Sequence, residues 1–161
     1  MFEKTNYSND LAAGYNLLAK QLDALLEGEM DTVSNLSNAS ALLNQFLENI
    51  NWCGFYLFKN NELLLGPFQG LPACVHIPIG KGVCGTAAQS KQTLIVDDVN
   101  AFPGHIACDS ASESEIVVPI VVNDGLYGVL DIDSPEKGRF TKEDQIGLEQ
   151  FVEILTKHIH L

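Results

Sequence analysis

Positive charge is scarce in this chain. Nine Lys and Arg face 21 Asp and Glu, a formal net charge of −12 over 161 residues. A field of that sign repels phosphate backbones and anionic lipid surfaces, which argues against nucleic-acid and membrane partners. A small zwitterion stays compatible, provided its site offers both signs of charge locally. Long apolar runs are missing too. The longest, around IVVPIVV, is far too short to cross a bilayer, and the N-terminal MFEKTNYSND is polar, without a signal core. The expected compartment is the cytoplasm. CxxC pairs are also absent, which removes the zinc-ribbon and thioredoxin-type motifs.

Four cysteines then need another explanation. In a reducing compartment they do not imply a permanent disulfide framework, which leaves inert burial, metal binding or catalysis. Cys53, in the apolar run WCGFYLF, alternates with Phe55 and Leu57 and faces away from Trp52, Gly54 and Tyr56. It reads as a small core hydrophobe. Cys74, Cys84 and Cys108 fall in one loop-rich stretch. With His76 and His105 they offer a set of soft and imidazole ligands, the zinc alternative. Cys108 is the best nucleophile candidate: it follows a Pro-Gly turn and His105 and precedes the small polar run Asp109–Ser112, a context for a partly exposed thiol. Cys84 sits in GKGVCG, where glycines allow close backbone approach and a short helix can begin. Cys74, beside Pro72 and Ala73, lies on a segment suited to a resolving thiol.

Periodicity supplies the frame. A hydrophobic content of 46% with 19% charged residues suits one globular domain, 1–161. Leucines recur at helical spacing over about 8–27, with Ser8 as the cap, and a second stripe covers about 33–49. The run 52–58 reads as a strand with 62–65 as its hairpin partner, 82–90 as a short helix and 93–97 as a strand. Segments 115–122 and 126–133 form a hairpin around Asn123-Asp124-Gly125. A last helix covers about 141–158, opened by Thr141 and Asp144 in a capping-box pattern. The expected fold is α+β, an antiparallel sheet flanked by helices from both ends of the chain.

The hairpin register carries chemistry. A three-residue loop with Gly125 in the left-handed position pairs Val122 with Leu126, Glu115 with Asp133 and Val117 with Asp131. Glu115, Asp131 and Asp133 then share a face, whereas a two-residue Asp124-Gly125 turn puts Glu115 on the other side. Clustered carboxylates resist joint ionisation, so one pKa rises. The protonated member donates a hydrogen bond to a substrate oxygen and an ionised one holds an ammonium group. Trp52 and Tyr56, with Gly54 leaving space between them, can wall an apolar pocket suited to a methyl-sulfur group; plain core packing is the alternative.

PACVHIPIGKGVCGTAA, FPGHIACDSASESEIVVPI and GVLDIDSP, in this order and spacing, closely resemble the free methionine-R-sulfoxide reductases, stand-alone GAF-domain enzymes. The resemblance reaches from about Asn51 to Phe140, and it leaves Leu71 and His76 without a role. It implies a GAF-type sheet and the reduction of free L-methionine (R)-S-oxide to L-methionine. By position, Cys108 is the nucleophile, Glu115 or Asp133 the acid, and Cys74 the resolving thiol, with Cys84 as runner-up for either cysteine role. Trp52 and Tyr56 take the substrate methyl, and Asp131 and Asp133 its ammonium. The sulfenic acid formed on Cys108 becomes an intramolecular disulfide that thioredoxin reduces, with NADPH upstream through thioredoxin reductase. No metal or bound organic cofactor is implied, and a homodimer is. The competing expectation is a GAF module that senses a small molecule or the thiol redox state without turnover.

Overall fold

Period-two alternation along the aromatic strand decides which face of the sheet meets the helices. The structure, a computed structural model, describes residues 2–161. In chain order the elements are α1 (Leu11–Leu26), α2 (Thr32–Phe46), β1 (Trp52–Lys59), β2 (Glu62–Gly70), β3 (His76–Pro78), α3 (Gly82–Ser90), β4 (Leu94–Val96), β5 (Ser114–Val122), β6 (Gly125–Ser134) and α4 (Lys142–Thr156). The strands form one six-stranded sheet in the order β3-β2-β1-β6-β5-β4, antiparallel throughout. Cys53 and Phe55 of β1, Ile116 and Val118 of β5, and Leu130 and Ile132 of β6 join Leu18, Leu22 and Phe151 in the core beneath α1, α2 and α4. Trp52, Tyr56, Val117 and Val129 point the other way, into a second core closed by Val83, Cys84 and Ala87 of α3. The α+β, GAF-type architecture is as expected.

Several boundaries differ from the sequence reading, each for a local reason. α1 is capped by Asp10, whose side chain accepts from Ala12 N (3.1 Å); Ser8 instead accepts from Asp10 N, ahead of the helix. α2 stops at Phe46, and Leu47 adopts extended backbone as its C-cap. β2 continues past Leu65 to Gly70 because a bulge after Gly54 absorbs the Gly66-Pro67 step: Gly54 pairs with Phe68, Tyr56 with Leu65. A Cβ on Gly54 would lie 2.2 Å from Phe68 Cβ. Gly54 therefore leaves no open space between Trp52 and Tyr56; it admits β2, and the Phe68 ring stacks on Trp52 with centroids 5.0 Å apart.

The β5–β6 hairpin reaches the expected site register by another route. Its loop is the two-residue Asn123-Asp124, both at positive φ (51° and 65°), and Val122 pairs with Gly125, which is the first residue of β6 rather than a left-handed turn residue. The register then shifts by one between Ile120 and Val121, where Gly128 and Leu126 are the partners. Beyond that bulge Glu115 faces Asp133 and Val117 faces Asp131, as expected.

The two ends of the chain are clamped by one buried carboxylate. Asp144 completes the expected capping box with Thr141 at the start of α4. It also accepts from Tyr15 Oη of α1 (2.7 Å) and from Arg139 (3.2 Å). Gly147 lets the Tyr15 ring in, since a Cβ there would meet its Cγ at 2.2 Å. No helix among the described residues is long and apolar enough to cross a membrane. Asp144→Ala should lower the unfolding free energy in urea by roughly 2–4 kcal/mol, a lost cap plus an unpaired buried Tyr15 hydroxyl. Asp144→Asn, which can still cap, should cost less.

Candidate active site

On the face of the sheet away from the long helices, strand pairing brings acids and aromatics together. Trp52 pairs with Asp133, Asp133 in turn with Glu115, and Gly54 with Asp131. Side chains opposite one another on neighbouring strands come within about 5 Å, so Trp52, Tyr56, Glu115, Asp131 and Asp133 line one narrow cleft of about 40 Å³. Cys84, His105 and Cys108 line it as well. Trp52 and Tyr56 stack with centroids 5.8 Å apart.

Cys74 and Cys108, 34 residues apart, form a disulfide with their Cα atoms separated by 5.6 Å. Both residues are half-buried. Cys53 and Cys84 are free and buried. Cys53 belongs to the helix-side core, as expected, and burial pushes its thiol well up. The zinc alternative does not assemble: Cys74 and Cys108 are bonded to each other, and His76 pairs with Glu62 (2.7 Å) on the exposed sheet edge. A metal would find a different trio, Cys84, Glu115 and Asp131, whose donor atoms lie within 4.8 Å of one another.

That trio has unusual electrostatics. Glu115 and Asp131 are each only 5% exposed. Burial pushes the Glu115 carboxyl well above the usual carboxylate range, and the charge of Asp131 pushes it further. Asp133 is raised by the same two causes in the same order. Asp131 is raised by burial as well, but hydrogen bonding from Glu115 and Cys84 and the nearby His105 oppose the rise. Of the three acids Asp131 is therefore the one whose surroundings most favour the ionised form, while Glu115 keeps its proton above the ordinary carboxylate range. Burial, then Asp131 and Glu115, raise the Cys84 thiol, whose Sγ donates toward Glu115 Oε1 at 3.7 Å. A thiol held neutral is a weak nucleophile. One oxygen of Asp131, Oδ1, is buried and has no hydrogen-bond partner.

One part of the site escaped the sequence reading, and another was seen without its place in the cleft. Asn51, just ahead of β1, donates through Nδ2 to Asp109 Oδ2 (3.0 Å) and Ser112 Oγ (3.1 Å), and its main-chain N–H reaches Asp133 O (2.9 Å). It pins the turn that follows Cys108 to the sheet. Nothing in its local sequence signals that reach of 58 residues. The other is the start of α3. Gly82, at φ 64°, and Gly85, where a Cβ would lie 2.4 Å from Pro78 O, give the helix start its close approach, as the glycines of GKGVCG suggested. The N–H groups of its first turn have no intrahelical partners, and Lys81, Gly82, Val83 and Cys84 line the cleft.

Comparison with known proteins follows the same lines. Residues 21–159 match the GAF domain family. The chain is 55% identical over 159 residues to Protein YtsP of Bacillus subtilis, covering 98% of each. It is 52% identical over 154 residues to the free methionine-R-sulfoxide reductase of Escherichia coli, covering 96% of this chain and 89% of that one. The free methionine-R-sulfoxide reductase of Neisseria meningitidis, solved in complex with its substrate, superposes with a TM-score of 0.93 at 41% identity, over 98% of this chain and 95% of that chain.

The raised carboxyls make stability depend on pH. In the folded protein Glu115 keeps its proton at pH values where an unfolded carboxyl has lost it. The native state thus binds more protons above the ordinary carboxyl range, and stability falls as pH rises toward the raised value. Glu115→Gln should flatten that fall in urea midpoints measured from about pH 4 upward. An unchanged slope would mean that Glu115 titrates as an ordinary surface acid.

Proposed function

The chain belongs to the free methionine-R-sulfoxide reductases of the GAF-domain superfamily, and from that premise we propose that it reduces free L-methionine (R)-S-oxide to L-methionine through Cys108 and Cys74. The observation that carries this reading is the Cys74–Cys108 disulfide beside a cleft whose floor is buried carboxylate.

The Cys108 thiolate attacks the sulfoxide sulfur. Glu115, which burial holds protonated above the ordinary carboxylate range, donates to the oxygen, with Asp133 as the neighbouring acid. The oxygen ends on Cys108 as a sulfenic acid, and the substrate sulfur leaves as the thioether of methionine. The thiol of Cys74 then displaces that hydroxyl, so that one S–S bond and one water form. Dithiol exchange with thioredoxin, recharged by NADPH through thioredoxin reductase, restores both thiols. Cys84, neutral and unbonded here, is kept for a reserve role.

Each part of a free amino acid has a counterpart in the cleft. Trp52 and Tyr56 suit the methyl group, as apolar faces suit a methyl-sulfur group. Asp131, with its buried Oδ1 unpaired, suits the ammonium, backed by Asp133. Lys81 and the first-turn N–H groups of α3 suit the carboxylate. A peptide-bound residue would lack both terminal charges, which supports the free amino acid as substrate. We further assign the chain one GAF domain working in the reducing cytoplasm as a homodimer, for which the exposed Leu17, Val33 and Ile146 of the helical layer are the available apolar surface.

Three experiments test this. NADPH oxidation coupled through thioredoxin and its reductase should proceed with the R epimer of free methionine sulfoxide and not with the S epimer; no turnover with the R epimer sinks the reading in favour of a sensor. Cys108→Ser should abolish even the first turnover, and Cys74→Ser should release about one methionine per site and stall. The cleft of about 40 Å³ has room for only a few waters. Calorimetry should therefore find the sulfoxide bound by reduced Cys108→Ser protein and at least about tenfold more weakly by the disulfide form of the wild type.

A further inference from the structure

Two hydrogen bonds made by the walls of the cleft are spent on the protein's own main chain. Trp52 Nε1 donates to Leu71 O (3.1 Å), and Tyr56 Oη donates to Cys74 O (2.8 Å). Both acceptors are main-chain carbonyls of residues 71–75, the strap that joins β2 to β3. The strap has no helix or strand of its own. Its ends are not seated in a core either: Leu71 is 63% and Val75 53% exposed. Apart from the disulfide, it is held by these two side-chain bonds, by Leu65 N, which donates to Val75 O (2.9 Å), and by the small Ala73 side chain packed against the second core.

We propose that the Trp52 indole and the Tyr56 hydroxyl latch this strap, and so act as positioning residues that present Cys74 to Cys108 in the resolving step. The inference rests on the function proposed above and deepens it. When Cys108 carries its sulfenic acid, the Cys74 sulfur must reach bonding distance, displace the hydroxyl as water and form the S–S bond; no outside oxidant or reductant enters that step. Reaching it means ordering a strap with little packing of its own, an entropic cost. The two hydrogen bonds favour the closed arrangement over the open ones. They also tie resolution to the residues that wall the cleft, which explains why the Leu71 carbonyl matters while its side chain stays in solvent.

Rapid-quench single turnovers should separate the two steps. One aliquot reports methionine release and another reports disulfide formation, with dimedone trapping any sulfenic acid on Cys108. In Tyr56→Phe the ratio of the disulfide-forming rate to the methionine-releasing rate should fall about fivefold, the worth of one ordinary hydrogen bond, and dimedone-labelled Cys108 should build up. Trp52→Phe, which also lacks the donor, should shift the ratio in the same direction. A ratio equal to the wild type in both variants overturns the latch.

Hydrogen peroxide provides a second entry to the same step, because it oxidises Cys108 to the sulfenic acid and leaves water as the only by-product. If the wild type releases no methionine from the sulfoxide, the functional reading fails, and the latch is then judged by whether the variants slow peroxide-driven disulfide closure. Equal closure in wild type and both variants overturns it by that route as well.

Discussion

The cleft depends on antiparallel pairing through the centre of the sheet, where β6 lies between β1 and β5. That pairing sets Asp133 against Trp52 on one side and against Glu115 on the other. Alternation does the rest: between the buried Ser114–Ser134 pair and the hairpin tip, one face of β5 and β6 is apolar and seals against the helices, so the carboxylates have a single place to go. Burying carboxylates is expensive unless they keep their protons or find a counter-charge. The cleft uses the first means for Glu115 and Asp133 and leaves Asp131 short of the second.

Such a cluster is unstable chemistry held by a stable scaffold. The scaffold's share is visible in Asp144, which serves one helix as a cap and another as a hydrogen-bond anchor. It is visible again in Asn51, which ties the Cys108 turn to the first central strand. Neither residue faces the reacting groups. Both limit how far the pieces that do face them can drift, which matters because a catalytic hydrogen bond tolerates little displacement.

Features governed by local periodicity were readable from residues alone. The leucine stripes of α1 and α2, the capping pair Thr141 and Asp144, and the alternation that separates Cys53 from Trp52 all follow from spacing. So did the company kept by Glu115, Asp131 and Asp133, although the turn invoked for it was the wrong one. What could not be read depends on contacts distant in sequence. The fit of Phe68 against Gly54 requires knowing that β2 continues beyond Pro67. Asn51 has no local pattern at all, and the choice of Cys74 rather than Cys84 as partner of Cys108 is a matter of loop paths that short-range spacing does not encode.

The hairpin shows how the tip and the site are kept independent. Seen as parity, its two-residue turn alone would leave the acids on opposite sides of the sheet, and the one-residue bulge near Leu126–Gly128 supplies the odd step that restores them. Substitutions at the tip that respect the turn geometry leave the acids where they are, because they do not change the count. An added residue that stays within the loop leaves the pairing as it is, whereas losing the bulge alone would slip the strands by one residue and turn the acids to opposite sides of the sheet. The bulge thus works as a phase corrector, separating a solvent-exposed loop that is free to vary from a buried face that is not.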